Sequence, residues 1–428
     1  MNLEFRPPSD PVDGGSVSTA PRPGTGHVMS TQEPGRRGTT IPGYLAALLT
    51  AVAIAALPLV AQLVDNSADE FSPHSFAVWP ALGWVTCAAL SAVVVTRRLQ
   101  TQVAIEEGSA LALAYDALPV LLAIPWVIGL LSAISGHWLL MTAASGLCAY
   151  HVILLAPRLM KAPTPSWVRR APLLRLVVAN VFVDNRTPAD AARQLVESGG
   201  DVLVIVESTA TFMSVFDESG GADAYPHRVA DPDDESDYAV SIVSNREFGP
   251  RSEFRHIGPL RLAIADVDVD GTSTLVVALN PMATMDLDGH VTWKEQIRVL
   301  AEFVPTLSGP VVIAGDLNTT RYRPEFEQIM KLGYSDAIDS LGKGLNPSFK
   351  LTAGGALGAV GAVVRLDHAL VNDDMHAVAM RNLEARGSDH IPFVVDLAVR
   401  LRQPRKPGLH GIHQREPIAE DRDVASDQ

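Results

Sequence analysis

Between Ile41 and Ala156 the chain carries only eight charged residues, Arg97, Arg98 and six acids, over 116 positions. These positions fall into four apolar runs: Ile41–Val64, Phe76–Thr96, about Ala117–Ile134 and about Trp138–Ala156. Each approaches or exceeds the roughly 18–20 residues that cross the hydrocarbon core of a bilayer. Pro58, Pro119 and Pro125 would break soluble helices, but membrane spans tolerate proline. Four buried core helices of a large soluble protein are the alternative, and four such runs in succession would be unusual there. His137 and His151, within or beside these runs, read as packing or interface residues.

The rest of the chain has a different composition. Overall, 47% of residues are hydrophobic and only 19% charged, yet the formal net charge is −14. Soluble domains average about 25% charged residues. The contradiction resolves by position: the net charge is −3 up to residue 160 and −11 beyond it. A domain so acidic does not attract nucleic acid through a bulk positive field. The two cysteines, Cys87 and Cys148, both lie in apolar runs. That rules out a disulfide framework, and in the later part it rules out a cysteine-ligated zinc or a cysteine nucleophile.

Residues 1–40 are rich in Pro, Gly, Ser and Thr and read as a disordered tail without a signal-peptide pattern. Cations sit before the first run (Arg36, Arg37), after the second (Arg97, Arg98) and after the fourth (Arg158, Lys161, Arg169, Arg170, Arg175). With four spans, the positive-inside rule puts both termini in the cytoplasm. If Ala117–Ala156 forms one span plus an interfacial or re-entrant piece, the later domain lies outside instead. Pro157–Pro172 reads as a linker along the membrane surface, its cations suited to anionic headgroups.

From Leu173 an α/β rhythm begins. Leu173–Phe182 and Asp201–Val206 are continuous apolar runs, as expected of strands buried on both faces. Between them Thr187-Pro188 signals a helix start and Gly199-Gly200 a stop. Tyr238–Ser244 reads as a third strand. Leu260–Val269 and Thr272–Leu279 flank Asp270-Gly271, a strong hairpin signal. A helix over about Thr292–Leu307 leads to the strand Val311–Ala314, and the later strands are Arg365–Val371 and Phe393–Val399. Gly354, Gly355 and Gly358 read as a flexible loop and Asp231–Asp237 as a solvated acidic one. Residues 402–428, with His410 and His413, read as a solvated tail.

Polar residues interrupt or end these apolar strands: Asn180, Glu207, Asp316, Asn318, Asp367, and Asp389 with His390. Carboxylates are costly to bury unpaired. Each of these residues alone could be a cap or a satisfied turn, but together they suggest convergence on one cation. Oxygen donors of this kind suit Mg²⁺ or Mn²⁺ rather than zinc. Neither a Walker A loop nor a G-x-G-x-x-G after a strand is present.

Four elements in this order carry a resemblance: Asn180, Glu207, Gly315-Asp316-Leu317-Asn318 and Ser388-Asp389-His390-Ile391-Pro392. Over about Leu173–Leu401 the chain resembles the endonuclease/exonuclease/phosphatase superfamily, metal-dependent phosphoesterases that include DNase I-like nucleases and inositol phosphatases. The spans preceding the domain resemble its membrane-anchored VanJ-type branch. The resemblance implies an α/β fold in which a bundle of about four transmembrane helices precedes a four-layer αββα sandwich. It implies that Glu207 holds Mg²⁺ (or Mn²⁺), assisted by Asn180 and Asp389. Asp316 and Asn318 would orient or deprotonate the attacking water. His390, oriented by Asp367, would donate to the phosphoryl oxygens.

One position departs from the pattern. Where the family usually places a histidine after the Thr272–Leu279 strand, this chain has Asn280-Pro281. An asparagine amide donates a hydrogen bond but supplies neither a proton nor a cation. His290, ten residues on, is not assumed to replace it.

The expected function is therefore a membrane-anchored hydrolase of a phosphate ester or pyrophosphate, with a substrate at or near the bilayer. Two readings stand beside it: a nuclease of the same superfamily, and a catalytically weakened phosphate-binding membrane protein. The expected partners are the lipid bilayer and a phosphate-ester substrate near it. The acidic domain argues against tight duplex binding without a local basic groove.

Overall fold

The computed structural model describes residues 78–100, 109–231, 236–283, 287–350 and 362–401. The N-terminal tail, the first apolar run Ile41–Val64, the glycines Gly354, Gly355 and Gly358, and the C-terminal tail with His410 and His413 lie outside them, as does most of Asp231–Asp237.

The second and fourth apolar runs are single helices, α1 (Val78–Gln100) and, further along, Trp138–Leu159. Both are long and apolar enough to cross a membrane. The third run is not one straight segment. It follows α2 (Ser109–Asp116) and divides into α3 (Leu118–Leu121) and α4 (Ile124–Ile134); the halves Ala110–Asp116 and Leu118–Ile134 meet at 72°. Pro119 and Pro125 lack the amide hydrogens that would continue the backbone ladder, which leaves the helix free to turn. Among the described residues there are thus two candidate spans, or three if the bent pair is one span. Leu82, Ile134, Leu139 and Ile153 are each at least 60% exposed on α1, α4 and α5 (Trp138–Leu159), an outer surface that suits lipid better than water. His137 packs its ring edge-on against Trp79, and His151 Nδ1 accepts from Trp126 Nε1 at 3.1 Å, so both pack within the helices.

Beyond residue 172 the strands run β1 (Leu173–Asn180), β2 (Val202–Val206), β3 (His227–Ala230), β4 (Val240–Ser244), β5 (Glu253–Ile257), β6 (Leu260–Val269) and β7 (Thr272–Leu279). They continue with β8 (Val311–Asp316), β9 (Tyr334–Asp336), the short pair β10 (Phe349–Lys350) and β11 (Ala362–Val364), β12 (Asp367–Asn372), β13 (Met375–Asn382) and β14 (Phe393–Val399). One six-stranded sheet has the order β13-β14-β1-β2-β4-β3 and the other β5-β6-β7-β8-β12-β9. Leu176, Val204 and Ile242 of the first sheet meet Ala265, Val276 and Val312 of the second in one buried cluster, so the sheets pack face to face.

Each outer face is covered by helices. Val177, Leu203 and Val243 pack against α6 (Pro188–Val196) and α7 (Ala210–Phe216) through Leu195 and Phe216. Val277 and Ile313 pack against α8 (Leu287–Phe303) and α9 (Pro324–Lys331) through Trp293, Leu300 and Phe326. The layering explains the sequence pattern: all five residues of Val-Leu-Val-Ile-Val in β2 are buried, because a core lies on both faces. Asp270 and Gly271 both adopt positive φ (50° and 79°), as the two-residue turn between β6 and β7 requires.

The close pairing of β7 and β8 depends on one glycine. Gly315 has φ 140°, and a Cβ there would lie 2.1 Å from the Leu279 carbonyl oxygen. Gly315→Ala is therefore expected to cost at least ~2 kcal/mol through strain and a backbone shift, read as a lowered melting temperature. An unchanged melting temperature would show that the two strands separate at little cost.

The helices dock onto the α/β domain at several points, the segment Thr320–Arg323 among them. Asp116, at the bend, accepts from Thr320 N (2.9 Å), Thr320 Oγ1 (2.8 Å) and Arg323 Nε (2.8 Å), and also from Arg323 Nη2. Arg97 donates to the Tyr322 carbonyl and pairs with Glu327 at 3.0 Å. The Arg158 guanidinium lies 4.8 Å from the Tyr322 ring centroid.

Candidate active site

The strand order brings the polar strand ends together. β1 and β2 are parallel neighbours with Asn180 opposite Val206, so Asn180 and Glu207 emerge side by side. β7 and β8 are also parallel, which places Asn280 beside the turn after Asp316. β12 runs antiparallel to β8 with Asp367 directly opposite Asp316. β14 is antiparallel to β1, and the loop before it is tied down by Ser388 Oγ donating to the Asn180 carbonyl at 2.8 Å.

At this common end the side chains form one network. Asn180 Nδ2 donates to Glu207 Oε1 at 2.7 Å and to Asp316 Oδ2 at 3.1 Å. The other Glu207 oxygen accepts from Val183 N at 2.7 Å. His390 Nδ1 bonds Asp367 Oδ2 at 2.7 Å, and its Nε2 lies 3.5 Å from Asp316 Oδ2. Asn318 N donates to Asp316 Oδ1 at 2.9 Å, and Asn318 Nδ2 reaches Asn280 Oδ1 at 3.3 Å. Glu207 (φ 57°) and Asn318 (φ 49°) hold left-handed backbone conformations, which non-glycine residues adopt at a cost, often at functional sites. Asp389 stands at the rim with Oδ1 buried and without a hydrogen-bond partner among the described residues. All the residues singled out from the sequence, Asn280 included, lie in or beside this network.

Burial sets the protonation of the acids. It pushes Glu207 up to about 7 and Asp316 up to about 6, and it raises Asp389 as well. Their charged forms are therefore penalised in the fold. The contribution of Glu207 and Asp316 to stability falls as pH rises from the ordinary carboxylate range through 6 and 7, unless a cation offsets it.

His390 is also opposed by burial, but the Asp367 and Asp316 carboxylates outweigh that and lift it to about 10. Its charged form contributes stability that is fully present below the ordinary value of 6.5 and is lost as pH rises through about 10. Asp367, opposed by burial too, is held below its usual value by His390.

Asp316, Asp367 and His390 place ligand-type atoms within 4.8 Å of one another. An imidazolium does not ligate a cation, however, and Asp367 Oδ2 is committed to it. The acidic oxygens left for a cation are those of Glu207 and Asp316, which meet through Asn180, and the Oδ1 atoms of Asp367 and Asp389, both without a hydrogen-bond partner among the described residues. These are hard oxygen donors in a buried, proton-retaining cluster, and they fit Mg²⁺ or Mn²⁺.

A second histidine makes an instructive contrast. His368, next to Asp367 in β12, bonds Asp336 Oδ2 at 2.7 Å and the Thr319 carbonyl at 3.0 Å. Both its ring nitrogens are used internally, so it braces the loop after Asn318. His390 keeps Nε2 aimed at the site.

Ser348 was not visible from sequence. Its Oγ accepts from Leu366 N and Asp367 N, each at 3.1 Å, and so fixes the start of β12. Phe349, whose ring centroid is 5.0 Å from that of His390, was equally hidden. A serine and a phenylalanine in an irregular loop carry no signal until the loop is folded.

The sequence profile of the Endonuclease/Exonuclease/phosphatase family matches residues 177–390, half of the chain. The chain belongs to the endonuclease/exonuclease/phosphatase family. The matched stretch spans every residue of the network described above, from Asn180 to His390.

Several solved structures match part of the chain. A D. rerio TDP2 humanized by 14 mutations has 19% identity and a TM-score of 0.44, covering 53% of this chain and 99% of that one. An endonuclease/exonuclease/phosphatase from Beutenbergia cavernae has 17% identity and a TM-score of 0.43, covering 53% and 72%. Sphingomyelinase C from Streptomyces griseocarneus has 18% identity and a TM-score of 0.40, covering 53% and 99%. No curated protein matches the chain in sequence.

Proposed function

We propose that this family member is a membrane-anchored phosphoesterase that uses a divalent cation and water to cleave a phosphate ester or pyrophosphate near the bilayer. The observation that carries this reading is the His390–Asp367 pair aimed at Asp316, with Glu207 joined to Asp316 through Asn180. Glu207, with Asn180 and Asp389, is the set that would hold Mg²⁺ or Mn²⁺. The cation would neutralise phosphoryl charge as a Lewis acid.

The chain's own groups do the rest. Asp316, raised by burial to about 6, is mostly ionised at neutral pH and accepts a proton from the attacking water, and Asn318 orients that water by hydrogen bonding. His390, kept charged by Asp367, donates from Nε2 to a phosphoryl oxygen. Asn280, which accepts from Asn318, stands where a second cationic donor would serve the phosphate.

Anchoring follows from the two apolar helices and from their junction with the domain at Thr320–Arg323. A site two residues from that junction works close to the membrane surface, which points to a lipid-linked phosphate or pyrophosphate.

The test uses the full-length chain in detergent with Mg²⁺ or Mn²⁺, offered bis(p-nitrophenyl) phosphate, a short-chain lipid pyrophosphate and plasmid DNA. The expected result is hydrolysis of the small esters that chelation abolishes. Preferential cleavage of DNA would assign the nuclease reading. Phosphate binding without turnover of any substrate would leave a binding protein.

Two variants probe the departures within the site. Asn280→His is expected to raise kcat about tenfold or more, since one electrostatic donor can be worth on the order of 10²–10³ in rate. An unchanged rate would show that Asn280 is matched to a substrate needing no second cation. Asp367→Asn removes the carboxylate that keeps His390 charged. The alkaline limb of the pH–rate profile, set near 10 in the parent, is expected to move toward neutrality. A limb that stays in place would remove His390 from the role of charged donor.

A further inference from the structure

A cavity of ≈ 30 Å³ lies where the helices meet the α/β domain, lined among others by Arg158, Arg321, Tyr322, Asp339 and Arg365. That exceeds the roughly 10–15 Å³ a single water needs. It is separate from the catalytic network, although Arg321 follows Asn318 by three residues and Arg365 precedes Asp367 by two.

The cations around it are under-used. Arg365 is 9% exposed, stacks 4.8 Å above the Phe393 ring centroid and donates from Nη1 to the Asn346 carbonyl at 2.7 Å. Its Nε and Nη2 have no hydrogen-bond partner among the described residues. Arg158, also 9% exposed, leaves Nε without one; Asp339 stands 3.9 Å away, beyond hydrogen-bond reach. A buried donor left unsatisfied costs about 1–3 kcal/mol, more when charged, so two such guanidiniums facing one cavity call for an acceptor.

No nearby carboxylate bonds Arg365. Asp116 is taken by Arg323 and Thr320 and Asp336 by His368 and the Ile338 amide, while Asp339, beside Arg321 and 3.9 Å from Arg158, keeps Oδ2 without a hydrogen-bond partner among the described residues.

What could fill the cavity follows from its position. Arg97 near the end of α1, the bend at Asp116 and Arg158 near the end of α5 all contact residues 320–323. These three points therefore lie at one level, on the domain side of the candidate spans, where headgroups would lie. Val120 and Leu345, both lining the cavity, are 53% and 40% exposed and give its mouth an apolar edge. Guanidinium forks match phosphate oxygens in geometry as well as charge, and basic pockets between membrane helices are suited to phospholipid headgroups.

We propose that this cavity binds a phosphate group presented by the headgroup of an anionic lipid. Arg158 and Arg365 donate to its oxygens, and Val120 and Leu345 border the glycerol end. Binding here needs no catalytic turnover, so it can be tested apart from the reaction proposed above.

The full-length chain in a nonionic detergent would be titrated with dihexanoyl phosphatidic acid and, separately, with inorganic phosphate, with bound adducts read by native mass spectrometry. One saturable phosphatidic acid site is expected, with affinity at least tenfold weaker in Arg158→Gln and in Arg365→Gln. Arg98→Gln, at an exposed arginine near the end of α1, is expected to bind as the parent does. Melting curves identify any variant that has lost its fold, and Arg365→Lys, which keeps the charge, then takes its place with an expected intermediate loss. Inorganic phosphate binding as tightly as phosphatidic acid would overturn the lipid assignment. The absence of a saturable adduct on the parent chain, or equal binding by folded Arg158→Gln and Arg365→Gln, would overturn the site itself.

Discussion

Asp316→Asn in the full-length chain is expected to lower kcat for phosphoester hydrolysis by about 10²–10⁴, the usual weight of a positioned acid–base group, while KM changes little. The substitution is nearly isosteric, and Oδ1 can go on accepting from Asn318 N. What it removes is the titratable oxygen that accepts from Asn180 and faces His390 Nε2 at 3.5 Å. The rate should fall at every pH rather than shift its optimum, because no proton can be exchanged at that position. His390→Ala is expected to be comparably severe, and the double variant no worse than the poorer single, since groups acting as one unit are not additive. Steady-state kinetics with saturating Mg²⁺ would check this. A kcat within threefold of the parent would move the proton chemistry elsewhere.

Asp116→Ala is expected to destabilise the folded chain by about 3–5 kcal/mol, the range for removing one partner of a buried ion pair. Arg323 is fully buried, and Asp116 is the acid that receives its Nε and Nη2. The same carboxylate holds the Thr320 amide and hydroxyl, two residues from Asn318. Loss of Asp116 should therefore lower the melting temperature and also loosen the loop that carries Asn318. Asp116→Asn, which keeps an acceptor but not the charge, should recover part of both. A melting temperature unchanged in Asp116→Ala would show that the helices and the domain are linked by the chain alone. The apolar helices are thus braced into the fold, and a truncated chain beginning at Leu173 would lack that brace.

Much of the site was legible because the strands are so apolar. In Val-Leu-Val-Ile-Val-Glu and Val-Val-Ile-Ala-Gly-Asp the first carboxylate after a buried run stands out, and strand ends are where an α/β sandwich can place polar groups without burying them unpaired. The hairpin at Asp270-Gly271 and the strand Phe393–Val399 have the residues read from sequence for the same local reasons.

What sequence reading missed depends on distant partners. Met375–Asn382 has a buried, half-exposed and exposed mixture that no period-2 pattern announces, and it forms a strand because β14 offers it an edge. Nothing local marks Asp116, since its partner Arg323 lies 207 residues away. The helical bend between Asp116 and Leu118 could not be placed from Pro119 alone, because proline permits a bend without requiring one. His368 and His390 look alike in sequence. Only the folded partners separate the brace, with both nitrogens bound, from the donor.

Metal-assisted attack of water on phosphorus is tested most directly by following where the oxygen of water goes. With the full-length chain, Mg²⁺ and a hydrolysable phosphodiester in ¹⁸O-labelled water, mass spectrometry of the products would report which bond is attacked. Attack of water at phosphorus predicts one ¹⁸O in the phosphate-bearing product, formed only with the cation present and lost in Asp316→Asn. Label in the alcohol product, or equal labelling of the phosphate after chelation, would contradict it.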